Sequence, residues 1–499
     1  MNRIELRWHP YRYYPYERDL AIREVQALLD PKSFAEVQQG LILEKPSKMH
    51  SAERLVYFAE VRNGKSGLPT LQSKLERLNG NGTKRQSTRY SSHGLHEYKG
   101  KFNPQVVRAI LNILKVPLGA RVLDPFCGSG TALVECSHLG MKAIGTDLNP
   151  LAVFIANAKL SALQLPVPRL KRALVDTLRR EKFVKISPAS MEDKRGSYLK
   201  RWFDREPLEQ IEKLRVAIER GETDCAIILL SIASNLLRDY SLQDPHDLRI
   251  RRRKTPIPKA PFIDVFEQAA CLFFSKLDEV QRTLPKAPGH GKAILIDTRT
   301  MQLCRDGLGA AKFDCVLTSP PYATALPYID TQRLSLVWLG LLQPDEILNL
   351  EGYLVGSREI RGEKKNVLLS ALGENRYSLP EEQVYYCLML QSTLSKEDGF
   401  RRQAMPKLLY RYFADMARAF KSIRGCVRDG AQFALIVGSN HTVLGGQRFD
   451  IDTSHHLAKI AASMGWMHEE TVPLQTYQRY GYHMNNAVTA ERLVILRAA

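Results

Sequence analysis

The chain has 499 residues, and its 72 lysines and arginines outweigh 53 aspartates and glutamates, giving a net charge of +19 and a pI of about 9.5. No run is long and apolar enough to span a membrane, and the first residues lack the apolar core of a secretion signal. Eight scattered cysteines form no C-x-x-C pair, which argues against a metal site and fits reduced thiols in a cytoplasm. The length allows about two or three domains, and the excess positive charge calls for a polyanionic partner, most economically nucleic acid.

Residues 1–65 read as a small unit. Trp8, His9, Tyr11, Arg12, Tyr13, Tyr14 and Tyr16 crowd its start, and Leu20, Ile22, Val25 and Leu28 give Glu17–Leu29 helical spacing. Aromatics interleaved with arginine can stack on bases, but their commoner use is to pack one unit onto another. Residues 66–92 are polar and rich in Gly, Ser and Lys, and read as a linker. Beyond His93, the residues Phe102, Pro104, Val106, Val107, Ile110 and Leu114 predict a helix that leads into a buried strand, Ala120–Leu123.

That strand runs into Asp124-Pro-Phe-Cys-Gly-Ser-Gly-Thr131, after which Ala132, Leu133, Val134, Cys136 and Leu139 return at helical spacing up to Gly140. Gly128-Ser-Gly130 is therefore a strand-to-helix turn, and glycine there lets a ligand approach the backbone. The next strand, Lys142–Gly145, leads to Asp147, placed beyond the turn as a ribose-binding acid is placed. Asn149 caps the following helix, with Pro150 at its first position. The pattern is not the G-x-G-x-x-G of dinucleotide-binding proteins, and no Walker lysine follows.

The next convincing strand, Ala293–Ile296, comes too late for an ordinary crossover, so residues 165–290 are expected to form a helical insertion. Within it, Leu208, Ile211, Leu214 and Ile218 mark an amphipathic helix and Ala226–Leu237 a buried one. The insertion also carries Arg249, Arg251, Arg252, Arg253 and Lys254, and a second cluster at Lys171, Arg172, Arg179, Arg180 and Lys182. Such runs suit phosphate contacts or simply a solvated loop; the insertion is the candidate for target recognition, with the first run as its DNA-binding residues. Phe313–Leu317 is a fourth strand and delivers Thr318-Ser-Pro-Pro-Tyr322, whose prolines stiffen the loop and leave carbonyls without N–H groups. Residues 323–339 continue into a helix, Tyr410–Ile423 is another, and Asp429-Gly430 turns into the strand Gln432–Val437. Gly438–His441 reads as a loop, and Thr471–Tyr477 with Leu493–Leu496 as a closing antiparallel pair.

Asp124–Thr131 resembles motif I of the S-adenosylmethionine-dependent amino-methyltransferases, Thr318–Tyr322 resembles their motif IV in its S-P-P-Y form, and His96–Gln105 resembles the stretch that precedes motif I. The resemblance covers about residues 93–164 and 291–499. It implies an α/β class I methyltransferase fold, Rossmann-like, with a mostly parallel seven-stranded sheet. The catalytic domain is then 93–164 plus 291–499. It implies S-adenosylmethionine held by Lys101, Phe102, Asp124, Phe126, Gly128, Gly130, Thr131, Asp147 and Asp297, with Asp297 accepting from the adenine amino group. It implies Ser319, Pro320, Pro321 and Tyr322 as the catalytic residues and no metal.

Members with serine before the two prolines act mostly on cytosine N4, so the expected activity is site-specific methylation of cytosine N4 in double-stranded DNA, in a bacterial or archaeal cytoplasm. Adenine N6 is the alternative target. The absence of a Pro-Cys dipeptide argues against covalent attack on a ring carbon. An RNA guanine-N2 methyltransferase is a rival that can share D-P-F-C-G-S-G-T but usually shows N-P-P-Y. A non-catalytic DNA-binding module is a third. A restriction nuclease or another defence component is a candidate partner.

Overall fold

The computed structural model describes residues 3–64, 66–77, 86–284, 289–323, 328–360, 364–475 and 490–499. The first unit is an antiparallel sheet of β1 (Arg3–Trp8), β2 (Ser33–Val37), β3 (Gly40–Glu44), β4 (Phe58–Asn63) and β5 (Ser66–Pro69), in the order β2-β3-β1-β4-β5. One helix, Pro15–Leu29, crosses it, burying Leu20, Val25, Leu28 and Leu29.

The aromatic start is a packing device. Tyr11, Tyr13 and Tyr16 are buried, and Trp8 stacks on Phe58 with centroids 4.4 Å apart. The expected linker over 66–92 is in part regular structure. Ser66–Pro69 pairs with β4 and Leu71–Arg77 is helical, because Thr70 caps the turn by donating to Phe58 O and accepting from Ser73 N. Residues 78–85 of that expectation lie outside the described residues, and 86–92 end in a buried Tyr90 and the start of a 3-10 turn at Ser91.

The main sheet contains β6 (Arg121–Asp124), β7 (Lys142–Asp147), β8 (Gly291–Leu295), β9 (Phe313–Thr318), β10 (Val427–Gly438), β13 (Trp466–Gln475) and β14 (Ala490–Ala498). Its order is β13-β14-β10-β9-β6-β7-β8. The five strands from β8 to β10 pair in parallel, and β14 runs antiparallel to both β10 and β13, closing the sheet as expected. Residues 476 and 477 of the expected closing strand lie outside the described residues. Gly438–His441 is not a plain loop: Asn440–Leu444 is β11, which pairs with β12 (Gln447–Ile451) in a hairpin.

Successive strand residues point to opposite faces, and the two faces fill two cores. Val122, Cys315, Leu317, Ala434 and Ile436 face a core shared with the N-terminal unit and the helices Pro104–Ile113, Thr131–His138 and Pro150–Gln164. Leu123, Val316, Phe433, Leu435 and Val437 face the Phe400–Cys426 and Thr453–Ser463 helices. Among its described residues the stretch 165–290 carries five α-helices, Val167–Glu181, Lys194–Trp202, Arg205–Glu219, Thr223–Tyr240 and Phe262–Thr283, whose apolar sides join the first core. Among the described residues no single helix is long and apolar enough to cross a membrane.

The glycine turn is placed by this packing. Gly130 has φ +78°, and a Cβ there would lie 2.7 Å from Ala156 Cβ on the neighbouring helix. Its glycine therefore serves close helix contact at least as much as ligand approach. Gly130→Ala adds left-handed strain and overpacking, and is expected to destabilise the chain by roughly 2–4 kcal/mol in urea unfolding.

Candidate active site

In a parallel sheet, ligands lie beyond the carboxyl ends of the strands, at the point where the strand order reverses. Here that point lies between β6 and β9, where the glycine turn and the S-P-P-Y loop emerge side by side. Thr318 Oγ1 donates to Asp124 Oδ1 at 2.6 Å, and the amide of Phe126 donates to the same oxygen at 3.2 Å. Both Asp124 and Thr318 are buried.

The turn is also tied to β7. Gly128, with φ +48°, donates its N–H to Asp147 Oδ2 at 2.9 Å, and Asn149 N donates to Oδ1 at 2.9 Å. Burial raises the Asp147 pKa against these bonds. The hydroxyls of Thr146 and Thr298 both donate to Pro125 O, so the end of β7 and the residues after β8 grip the same turn. Asn149 Oδ1 accepts from Leu151 N, the expected helix cap.

Ser319 Oγ donates to Ile436 O of β10 at 3.3 Å, and Pro320 is buried behind it. The Tyr322 hydroxyl donates to Glu491 Oε1 at 2.5 Å. Its ring backs onto Gly438, where a Cβ would come within 2.8 Å of Tyr322 Cε2, so glycine is needed to seat it. Asn440 Nδ2 donates to Ala323 O at 3.0 Å, fastening the hairpin that follows β10 to the same loop.

Other assigned residues stand differently. Asp297 follows β8, but its carboxylate is taken up by Arg299, whose Nε and Nη2 donate at 2.9 and 2.8 Å and whose backbone N–H adds a third bond at 2.9 Å. Burial opposes its charge, yet Arg299 holds its pKa below the ordinary value. Arg299 also donates to buried Asp415 at 3.1 Å. Phe126, half-buried, packs on the second core, and Thr131 is buried as the first residue of its helix. Phe102 packs against the first core, while Lys101 Nζ donates to Thr88 O. Burial and neighbouring Arg89 lower the Lys101 pKa to about 8.

The basic run lies in residues 241–254, beyond the C-terminus of the Thr223–Tyr240 helix. Gln243 Nε2 donates to Asp330 O at 3.4 Å, setting this loop against the segment that follows S-P-P-Y. Arg249, Arg251, Arg252 and Lys254 are exposed; Arg251 pairs with Asp247, and Arg252 lies over the Trp202 ring. Arg253 is a staple of its own loop, donating to Asp239 O, Ser241 O, Thr255 O and Pro256 O. In the second cluster, Arg180 binds Ala217 O near the far end of the 18-residue Thr223–Tyr240 helix, about 27 Å of helix away.

Several site residues were not singled out by sequence. Tyr98, inside the stretch before motif I, packs over Gly128, its Cε1 3.4 Å from where a Cβ would sit. Lys159 is fully buried and donates to Ser129 O and Oγ, both at 3.0 Å, and burial lowers its pKa well below the usual lysine range. Glu135, buried on the helix after the turn, accepts from Tyr90, Arg108 and His93 at 2.9, 2.7 and 2.7 Å. That network bolts the 90–103 stretch to the turn's helix. Only helical spacing signals Lys159, a lone cation on an apolar helix.

Five parallel strands, an antiparallel closing pair and a glycine turn facing an acid at the end of the next strand define a class I, Rossmann-like methyltransferase. A family profile described as DNA methylase matches residues 45–158. The type II methyltransferase M.MvaI of Kocuria varians is 24% identical over 385 residues, covering 72% of this chain and 78% of that protein. The type II methyltransferase M.MjaII of Methanocaldococcus jannaschii is 42% identical over 90 residues, 18% of this chain, and the match spans 16% of that protein's length. A tRNA (guanine(10)-N2)-dimethyltransferase of Methanothermobacter thermautotrophicus is 38% identical over 52 residues, covering 10% of this chain and 16% of that protein. These matches make the chain similar to the amino-methyltransferase family, whose DNA members act on cytosine N4 or adenine N6, and they support that family for it.

Burial raises the Asp124 pKa to about 7, with a further push from Asp147. A carboxyl raised on folding stabilises fully below its unfolded pKa near 4, and that contribution is lost as pH rises through about 7. Asp124→Asn keeps an acceptor for Thr318 and cannot ionise. Its melting temperature is therefore expected to gain on wild type between pH 5 and pH 8, as thermal unfolding across that range would show.

Proposed function

We propose that this chain is a site-specific DNA methyltransferase acting on the exocyclic amino group of a base flipped out of the duplex, with cytosine N4 as the target favoured by Ser319. The observation that carries the reading is the Ser319-Pro-Pro-Tyr322 loop, joined through Thr318 to Asp124 of the glycine turn. S-adenosylmethionine, when bound, supplies an electrophilic methyl group on a sulfonium sulfur.

The residues present fit that cofactor. Asp147 spends acceptor capacity on two backbone amides and keeps more for a ribose diol, since a carboxylate offers about four lone-pair sites. Gly128 and Gly130 present backbone without side chains, with Tyr98 as a wall. For Asp297, the part at the adenine amino group falls on whatever acceptor capacity Arg299 leaves.

An exocyclic amino nitrogen is a poor nucleophile because its lone pair is delocalised into the ring. Ser319 points its proton at Ile436 O, which leaves its own lone pairs to accept from that amino group. The Pro320 carbonyl is the second acceptor. Together they aim the nitrogen at the methyl group, and catalysis is by orientation and electrostatics. Flipping costs a few kcal/mol, and stacking on Tyr322 returns about 1–3 kcal/mol. Phosphate contacts from Arg249, Arg251, Arg252 and Lys254, beside the segment after S-P-P-Y, tip that balance.

Ser319→Ala is expected to keep cofactor and DNA affinity while slowing methyl transfer about tenfold or more in single-turnover assays, because the lost bond matters mainly in the transition state. The assay uses a duplex containing a site found by sequencing host DNA, with nucleosides resolved by mass spectrometry. N6-methyladenine as the product would move the target to adenine, and methylation of RNA but not DNA would sink the reading.

Replacing Arg249, Arg251 and Lys254 together by alanine should weaken DNA binding and flatten its salt dependence by roughly 0.9 log unit per lost contact. Arg253→Ala should instead lower stability with little change in the salt slope, because its guanidinium binds backbone carbonyls.

A further inference from the structure

β9 ends at Thr318 and leads into the S-P-P-Y loop, and Gln332 stands just before the Arg333–Trp338 helix. Thr318 is fixed on Asp124, as described. Gln332 is fixed as well. Gln332, 5% exposed, accepts from Asn149 Nδ2 through Oε1 at 2.6 Å. Asn149 N donates to Asp147 Oδ1, and Asp147 Oδ2 accepts from Gly128 N. The Tyr98 hydroxyl faces the side chains of both Gln332 and Asn149, and the Tyr98 ring lies over Gly128.

An unbroken line of hydrogen bonds thus runs from the glycine turn through Asp147 and Asn149 to Gln332, ten residues beyond Tyr322. Gln332 and Asn149 are buried, where such bonds are strong and a missing partner is costly. The acid that this line passes through is the one assigned to the cofactor's ribose, so a ligand on Asp147 acts on the same carboxylate that orients Asn149.

We propose that Gln332 is a positioning residue that couples occupancy of the cofactor pocket to the setting of the target-base loop. The proposal rests on the methyltransferase reading and goes beyond it, because it names the element through which the two sites act on each other. Coupling of this kind is reciprocal: cofactor that orders the loop favours base capture, and captured base favours cofactor.

The test is hydrogen exchange of the full chain with and without S-adenosylhomocysteine. In wild type, the ligand is expected to slow exchange about tenfold both in residues 126–131 and in residues 328–338. In Gln332→Leu, protection should reach 126–131 and fail to reach 328–338, while Gln332→Glu, which keeps the acceptor, should restore it. Asn149→Ser keeps the helix cap and loses the Nδ2 donor, and should behave as Gln332→Leu does even if that variant folds poorly. A merely structural role would speed exchange in 328–338 equally with and without ligand. Equal ligand protection of 328–338 in wild type, Gln332→Leu and Asn149→Ser overturns the proposal, as does no protection of 328–338 in wild type. S-adenosylhomocysteine that binds no form of the chain takes the proposal down together with the methyltransferase reading beneath it.

Discussion

The hydrogen bond from Thr318 to Asp124 holds the site together. The β6–β9 ladder pairs only Val122 with Cys315 and Leu123 with Val316. Beyond those pairs β6 runs on to Asp124 and β9 to Thr318, paired with β7 and β10 and no longer with each other. One buried side-chain bond carries the register past the end of the ladder, where the glycine turn and the Ser319–Tyr322 loop begin. Reacting groups need placement within a fraction of an ångström, which two short strand ends would not give unaided.

Around that bond the structure repeats one device. Asp147 binds the turn and the next helix, Thr146 and Thr298 grip Pro125, and Glu135 gathers Tyr90, His93 and Arg108. Each is a buried or part-buried polar group with at least one partner from a different segment. Such groups are costly when unpaired, so each one fixes a single arrangement of the segments that meet there.

The sheet was legible because its signals are local. An apolar run, a glycine turn and a helix-spaced stretch identify β6 and its helix, and Asn149 with Pro150 marks the next start. Ser319–Tyr322 was legible because two prolines and a serine form an unusual string. Partners separated widely in sequence leave no such trace. Arg253 looks like any phosphate-binding arginine until four bonds to backbone carbonyls consume it, and Asp297 looks free until Arg299 turns back on it two residues later. Residues 66–77 carried the composition of a tether, yet pairing with β4 outweighs composition once a ladder is available. Gly130 was marked for ligand approach, while its neighbour across the packing, Ala156, was invisible.

The helix Pro15–Leu29 lies against β13, the outermost strand of the main sheet, with Arg23 forked onto Glu470 at 2.8 and 3.0 Å. An outer strand offers unpaired backbone groups to any other chain, and a covering helix is one way proteins blunt that hazard. During synthesis the cover is made more than 400 residues before the strand it guards. The N-terminal unit must therefore wait, folded, for its surface to arrive. Contacts of such long range slow folding and leave apolar surface open in the meantime. A helix made early thus helps to hold a strand made late, through Arg23 and Glu470.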